Sequence, residues 1–172
     1  IGLLGCGIVG SGVYDIITDK MSPMVKNFEI AKVLVKTPEE ITKPNMTNNV
    51  EDIFSDPSID TVVEAMGGIH PAYEFITRAL KAGKNVVTAN KAVVAKHIDE
   101  FAELAKSNNA VFLYEASVGG GVPWIKSLRQ AMRIDEVTHI SGVFNGTTNL
   151  ILSEREEKEL SFDECLKTAQ KM

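Results

Sequence analysis

The sequence predicts an α/β fold, in which a doubly wound parallel β-sheet is followed by the beginning of an α+β domain. Short apolar runs alternate with helical stretches of about 10–15 residues, a pattern typical of βαβ units. A glycine-rich turn joins the first apolar run to the first helical stretch, and the character of the chain changes after Tyr114. We therefore expect a first domain at residues 1–120 and the start of a second domain at 121–172.

Local patterns predict the elements of the first domain. Apolar runs bounded by turn residues predict strands at residues 1–4, 28–35, 61–66, 85–88 and 110–114. Helical periodicity predicts a helix from Val9 onward, one helical turn at 51–54, and helices at 71–82 and 98–107. Gly83 is the expected C-terminal stop of the helix at 71–82, because glycine readily adopts the left-handed conformation that ends helices.

The second domain begins after a glycine-rich segment. Behind it we expect a helix at 124–132, a strand at 137–143, a polar segment at 145–149 and a solvated charged run at 154–159. Ser161 and Glu164 have the spacing of a capping box and predict a helix from residue 161 onward. Because the chain starts inside a strand and stops inside a helix, we expect it to be a fragment of a longer protein.

The composition limits the possible functions. The chain has 172 residues, 44% of them hydrophobic and 24% charged, with a formal net charge of −5. The absence of a basic tract argues against nucleic-acid binding. No apolar run approaches the roughly 20 residues of a membrane helix, and no signal peptide is visible. The two cysteines, Cys6 and Cys165, lack metal-ligand spacing, which favours a reducing, cytoplasmic location.

The turn after the first strand has the spacing G-x-G-x-x-G. It comprises Gly5, Cys6, Gly7, Ile8, Val9 and Gly10. Between a strand and a helix, this spacing is the fingerprint of a Rossmann-type dinucleotide-binding domain. The first glycine permits a tight turn, the second lets a pyrophosphate approach the backbone, and the third lets helix and strand pack closely. The pyrophosphate would lie at the helix N-terminus, where negative charge is favoured. A glycine turn without a ligand is the alternative.

The end of the second strand bears on the choice of dinucleotide. An acidic residue there accepts hydrogen bonds from the ribose 2′-hydroxyl of NAD, whereas a basic residue accommodates the 2′-phosphate of NADP. Lys36 occupies this position and no acid follows before Glu39, which favours NADP. Lysine holds phosphate less firmly than arginine, so use of both NAD and NADP stays open. The alternative is that Lys36 is an ordinary exposed cation.

Two further strand ends carry candidate residues. The third strand ends at Gly67, where the nicotinamide half of a dinucleotide is expected to pass. Glu64 is unusual in this apolar strand, and it must either reach solvent or pair with a buried partner. Lys91 follows the next strand, where a cation can hold a substrate carboxylate or transfer a proton. A solvated lysine at a strand end is the alternative.

Four segments together resemble the homoserine dehydrogenase family. They are the glycine turn at 5–10, VTANK at 87–91, YEASVGGGVP at 114–123 and SGVFNGTTN at 141–149. Their order and spacing match the family over nearly the whole chain, and the last two segments are specific to it. The resemblance implies the NAD(P)-dependent interconversion of L-homoserine and L-aspartate 4-semialdehyde, on the route to threonine and methionine. It also implies a second domain that binds the small-molecule substrate and forms a homodimer or a higher homo-oligomer.

The resemblance also assigns residues. Lys91 would lie near nicotinamide and substrate and take part in catalysis. A monovalent cation, sodium or potassium, would be held by Glu115, Val118, Gly120 and Val122, largely through backbone carbonyls. The homoserine pocket would include Asn145, Gly146, Thr147 and Thr148. Oxygen ligands suit a hard cation, and glycines let carbonyls converge, so the cation assignment agrees with elementary chemistry.

One departure from the family pattern matters. The family's principal proton-transfer lysine follows an aspartate-rich segment, and we expect that segment beyond residue 172. Asp163 and Lys167 have a similar spacing, but their amphipathic surroundings predict a surface pair on a helix. The fragment alone is therefore expected to be inactive.

Two other functions fit the first domain. One is that of a sugar-type oxidoreductase, although that class usually has Glu-Lys-Pro where this chain has Asn90-Lys91-Ala92. The other is that of a dinucleotide-sensing module.

Overall fold

The computed structural model describes residues 1–158 and 160–171, and its sheet confirms the predicted fold class. The strands are β1 (Gly2–Leu4), β2 (Lys32–Leu34), β3 (Met46–Thr47), β4 (Thr61–Glu64), β5 (Asn85–Thr88) and β6 (Phe112–Leu113). Their order is β3-β2-β1-β4-β5-β6, and every neighbouring pair is parallel. The strand order reverses at β1, which is the switch point of a doubly wound sheet.

Helices lie on both faces of this sheet. They are α1 (Ile8–Thr18), α2 (Glu51–Phe54), α3 (Ala72–Lys81) and α4 (Lys91–Ser107). Successive strand residues point to opposite faces, so the fully buried side chains of Leu3 and Leu4 enter different cores. Leu4 belongs to the core that contains Ile76 of α3 and Phe101 of α4. Leu3 belongs to the core against which Val13 of α1 packs.

The chain divides into two compact units, Ile1–Ser117 and Val118–Met172. The second unit contains α5 (Trp124–Ala131), α6 (Gly146–Lys158) and α7 (Phe162–Lys171). The predicted capping box forms at the start of α7. The N–H of Ser161 donates to Oε2 of Glu164 at 3.0 Å, and in return the N–H of Glu164 donates to Oγ of Ser161 at 3.4 Å. Among residues 1–158 and 160–171, no helix is both long and apolar enough to cross a membrane.

Several predicted strands are shorter in the structure, and two of them differ most. The strand expected at 28–35 is confined to β2, because the N–H of Phe28 donates to the carbonyl of Val25 and residue 28 therefore lies in a turn. The strand expected at 137–143 is wrong: those residues lie in no regular element, and Val143 is 51% exposed. A strand requires a neighbour for its N–H and C=O groups, and all six strands of the described chain belong to the first unit.

One predicted helix is longer than expected, and one segment without a predicted element is helical. The helix expected at 98–107 begins at Lys91, and His97 interrupts it with non-helical angles (φ −130°, ψ 17°), which divides the periodic pattern. The polar segment expected at 145–149 forms the start of α6, which begins at Gly146. Asn145 caps this helix, since its Oδ1 accepts the N–H groups of Thr147 and Thr148 at 2.8 and 3.2 Å.

Candidate dinucleotide site

A cleft opens at the carboxyl ends of β1, β2 and β4, on both sides of the switch point. Its volume is about 790 Å³, within the usual range for small-molecule sites. Five of the predicted cofactor residues line it: Gly5, Cys6, Gly7, Lys36 and Gly67. In open parallel sheets, ligands bind outside the carboxyl ends of the strands at the switch point. The structure therefore places these residues where a dinucleotide would bind.

Each glycine of the turn meets a different steric demand. Gly5 has φ +92°, a conformation that residues with a side chain rarely adopt, and an added Cβ would lie 3.0 Å from the carbonyl oxygen of Ala65. A Cβ on Gly7 would meet no atom within 4 Å, so the backbone there is open to a ligand. A Cβ on Gly10 would lie 2.0 Å from the carbonyl oxygen of Gly5, so only glycine lets α1 approach β1 this closely.

The start of α1 offers backbone donors beside the cleft. Gly7 is its N-cap residue, and no side chain caps the helix. The first N–H groups of a helix have no partner within it, and with the helix dipole they favour an anion. The side chains of Ile8 and Val9, which belong to the predicted motif, are 95% and 53% exposed and are not among the cleft-lining residues. Any contribution of these two residues to a dinucleotide site would therefore come from their backbone groups.

The buried carboxylate of Glu64 joins two strand ends. Glu64 is fully buried, so its partner is internal rather than solvent. Its Oε1 accepts the N–H of Met66 at 2.8 Å and the N–H of Gly67 at 3.4 Å, and its Oε2 accepts the hydroxyl of Thr88 at 2.5 Å. Nδ2 of Asn90 adds a donor to Oε1 at 3.3 Å. These donors compensate for the burial of a carboxylate.

Asn90 links the ends of β4 and β5 beside the cleft, a contact that the sequence patterns did not indicate. Its Nδ2 also donates to the carbonyl of Gly68 at 2.6 Å, and its Oδ1 caps α4 by accepting N–H groups at 3.2 and 3.3 Å. It therefore fixes the start of α4 against the glycine turn after β4. An asparagine directly before a helix is a recognised capping signal, and it would have moved the predicted helix start to residue 91.

Lys91 is the first residue of α4 and is exposed. It directly follows Asn90, whose side chain bonds the turn that contains Gly67 and Gly68. Lys91 does not line the described cleft. Its main chain is nevertheless fixed at the carboxyl end of β5, beside the turn where nicotinamide is expected.

His70 lines the cleft and pairs with Glu74 of α3. The Nδ1 of His70 is 2.7 Å from Oε1 of Glu74. Hydrogen bonds to its own backbone N–H and to His70 hold the pKa of Glu74 below its usual value. Both side chains are more than half exposed, so solvent screens this pair.

The predicted cation-binding residues fall in both units. Glu115 belongs to a 3₁₀ turn, Glu115–Ser117, that closes the first unit. In the second unit Gly119 and Gly120 have φ +73° and +60°, and the N–H of Val122 donates to the carbonyl of Gly119 at 3.1 Å. Within the described residues, no group of three or more His, Cys, Asp or Glu side chains has the arrangement of a metal site. A cation here would depend on backbone carbonyls.

The predicted substrate residues lie together at the start of α6. Asn145 is its cap, and Gly146, Thr147 and Thr148 form its first turn. All four residues are exposed. Amide and hydroxyl groups at this helix end are suited to a small polar ligand.

Comparison with known proteins decides the family. A family model described as the NAD binding domain of homoserine dehydrogenase matches residues 5–115. The chain belongs to the homoserine dehydrogenase family. A second model, described as homoserine dehydrogenase, matches residues 123–172.

Members of the family match the chain from end to end. It is 42% identical to the homoserine dehydrogenase of Synechocystis sp. over 100% of this chain, and 38% identical to that of Bacillus subtilis over 99%. The crystal structure of a homoserine dehydrogenase from Thiobacillus denitrificans matches 99% of the chain with a TM-score of 0.90 and 36% identity. In all three comparisons the chain spans 41% of the relative's length.

Proposed function

We propose that this chain is the dinucleotide-binding part, and the start of the substrate-binding part, of an NAD(P)-dependent homoserine dehydrogenase. The enzyme would interconvert L-homoserine and L-aspartate 4-semialdehyde. The observation that carries this proposal is the turn at Gly5, Gly7 and Gly10, which supplies a tight bend, an open backbone and a close helix contact at the switch point. The NAD-binding family model covers this same turn.

The residues around the cleft fit a dinucleotide. Gly7 and the start of α1 would hold the pyrophosphate, Lys36 the adenosine ribose, and Gly67 the nicotinamide side. A bound dinucleotide would supply the nicotinamide ring as hydride acceptor for oxidation at C4 of homoserine. The protein's task is then to orient the substrate and to accept the proton that leaves its hydroxyl group.

Lys91 is our candidate for handling charge at the reacting hydroxyl. Its ammonium would stabilise the oxygen as the oxygen becomes negative during oxidation, and would polarise the carbonyl in the reverse direction. Because Asn90 fixes the start of α4, the position of the Lys91 backbone is set before substrate binds.

The second unit would supply the polar part of the substrate pocket. Asn145, Gly146, Thr147 and Thr148 offer amide, backbone and hydroxyl groups for the amino and carboxylate groups of homoserine. Sodium or potassium would bind through Glu115, Val118, Gly120 and Val122. The left-handed angles at Gly119 and Gly120 support this, because they turn successive carbonyls in a way that few other residues allow.

The cellular setting and assembly of the enzyme are part of the proposal. We propose a cytoplasmic homodimer or higher homo-oligomer that serves threonine and methionine biosynthesis. The two cysteines, Cys6 and Cys165, are both free thiols, which fits a reducing compartment.

The full-length protein that contains this chain tests the proposal directly. We expect homoserine-dependent formation of NADPH or NADH, followed by nicotinamide absorbance. Titration with NADPH should quench tryptophan fluorescence or raise the melting temperature. Turnover of a sugar substrate but not of homoserine would contradict the proposed substrate, and cofactor binding without any turnover would favour a sensing role.

Replacing Lys91 tests the catalytic assignment. In the full-length enzyme, Lys91→Ala should lower kcat by about 100-fold or more, the usual contribution of a group that transfers or stabilises charge. The affinity for NADPH and the melting temperature should stay close to those of the unmodified enzyme. Lys96→Ala is the matched control, since Lys96 is an exposed lysine on the same helix. Equal kcat values for the two variants would remove Lys91 from the mechanism.

A further inference from the structure

The backbone after β2 folds back on itself. Residues Pro38–Glu40 form a 3₁₀ turn, in which the N–H of Glu40 donates to the carbonyl of Thr37 at 3.2 Å. This turn returns the Glu40 side chain to the strand end, where its Oε2 accepts the backbone N–H of Lys36 at 3.3 Å. An acidic side chain therefore lies at the position that the sequence assigned to Lys36 alone.

Both residues face the dinucleotide cleft. Lys36 and Glu40 line the same cleft as Gly5 and Gly7. In a Rossmann-type domain, the end of the second strand meets the adenosine ribose. A backbone N–H and an ammonium group on one residue are suited to an anion such as a 2′-phosphate. Here a carboxylate of the protein itself already accepts that N–H.

We propose that Glu40 is a specificity-determining residue that sets the balance between NAD and NADP; this inference rests on the proposed function. The carboxylate can accept a hydrogen bond from the 2′-hydroxyl of NAD. It repels the 2′-phosphate of NADP and competes with it for the N–H of Lys36. Glu40 therefore limits the preference for NADP that Lys36 would otherwise confer, and both dinucleotides remain usable.

Glu39 provides a matched control within the same turn. Hydrogen bonds to its own backbone N–H and to Thr37 hold the pKa of Glu39 below its usual value, so its side chain is ionised at neutral pH. Glu39 does not belong to the residues that line the cleft. A substitution that removes the charge of Glu39 changes the net charge of the turn by the same amount as one that removes the charge of Glu40. It leaves the hydrogen bond from the Lys36 N–H to Glu40 in place.

The experiment measures dissociation constants for NADPH and NADH with the full-length protein. Glu40→Gln should raise the preference for NADPH on the order of tenfold, as expected for loss of one charge a few ångströms from a phosphate. Glu40→Lys should raise it further. Glu39→Gln should change it less than about twofold, because its charge is farther from the cleft and is screened. Melting temperatures check that each variant is folded.

Two results would overturn the inference, and they differ in meaning. If the unmodified protein binds both dinucleotides and Glu40→Gln changes the preference no more than Glu39→Gln does, Glu40 has no part in specificity while the proposed function stands. If the unmodified, folded protein binds neither dinucleotide, the proposed function fails and this inference fails with it.

Discussion

At the scale of single residues, the glycines of the first turn show how one motif satisfies three separate constraints. Gly5 is required by its φ of +92° and Gly10 by the carbonyl 2.0 Å from its absent Cβ, and the proposed ligand would require the open space at Gly7. The constraints on Gly5 and Gly10 are visible in the folded protein without a ligand, whereas the constraint on Gly7 is not. The third predicts that side chains at residue 7 affect binding more than folding.

Gly10→Ala should destabilise the first unit by about 1–3 kcal/mol, because the new methyl group overlaps the carbonyl of Gly5 and forces α1 away from β1. Gly12→Ala is the control on the same helix: its Cβ would meet nothing within 4 Å, and it should stabilise by about 0.5–1 kcal/mol. Urea unfolding of both variants measures this difference. A Gly10→Ala variant as stable as Gly12→Ala would show that α1 moves away without cost.

The roles of these glycines were predictable because they are local to one turn. The bond between Glu40 and Lys36 was not predictable, although the two residues are four positions apart. It depends on the 3₁₀ turn at Pro38–Glu40, which the periodicity does not indicate. Lys36 alone suggested NADP, whereas the structure places a carboxylate beside it.

At the scale of elements, the ends of β4 and β5 act together. Glu64 of β4 accepts donors from the turn that follows its own strand and from Thr88 and Asn90 at the end of β5. Sequence patterns identified Glu64 as unusual but could not choose between solvent and a buried partner. The partners become evident only when the strands pair, with Glu64 opposite Thr88.

Glu64→Ala should destabilise the first unit strongly, since each buried donor left without an acceptor costs roughly 1–3 kcal/mol. Glu64→Gln should cost less. Its amide oxygen can retain the three bonds made by Oε1, and only the contact with Thr88 must reorganise. Urea unfolding gives the stabilities, and hydrogen exchange at the amides of Met66 and Gly67 reports the turn itself. Unchanged exchange in Glu64→Ala would contradict this role.

The errors in the predicted elements have two physical origins. The strand expected at 137–143 has apolar character, but a strand forms only where another strand supplies hydrogen bonds. Helix α4 was predicted too short because His97 breaks its periodicity, although Asn90 carries a capping signal at the true start. Periodicity therefore predicted which segments are regular more reliably than it predicted their ends or their partners.

At the scale of the whole molecule, the features of dinucleotide binding all belong to the first unit. Within residues 1–158 and 160–171, all six strands, the cores on both faces of the sheet and every residue lining the cleft lie within Ile1–Ser117. A unit of this length is within the usual size of an independently folding domain. Dinucleotide binding should therefore be separable from substrate binding.

A polypeptide of residues 1–117 should fold and bind NADPH with a dissociation constant within about threefold of that of the 172-residue chain. Val111 and Leu113 are 52% and 50% exposed, so the titration belongs at low protein concentration, where self-association is suppressed. Gly10→Ala in the same fragment should weaken binding and thereby tie the signal to the glycine turn. A folded fragment that binds NADPH more than about tenfold more weakly than the 172-residue chain would have lost about 1.4 kcal/mol of binding free energy. Residues after 117 would then contribute to the cofactor site, and dinucleotide binding would not be separable from substrate binding.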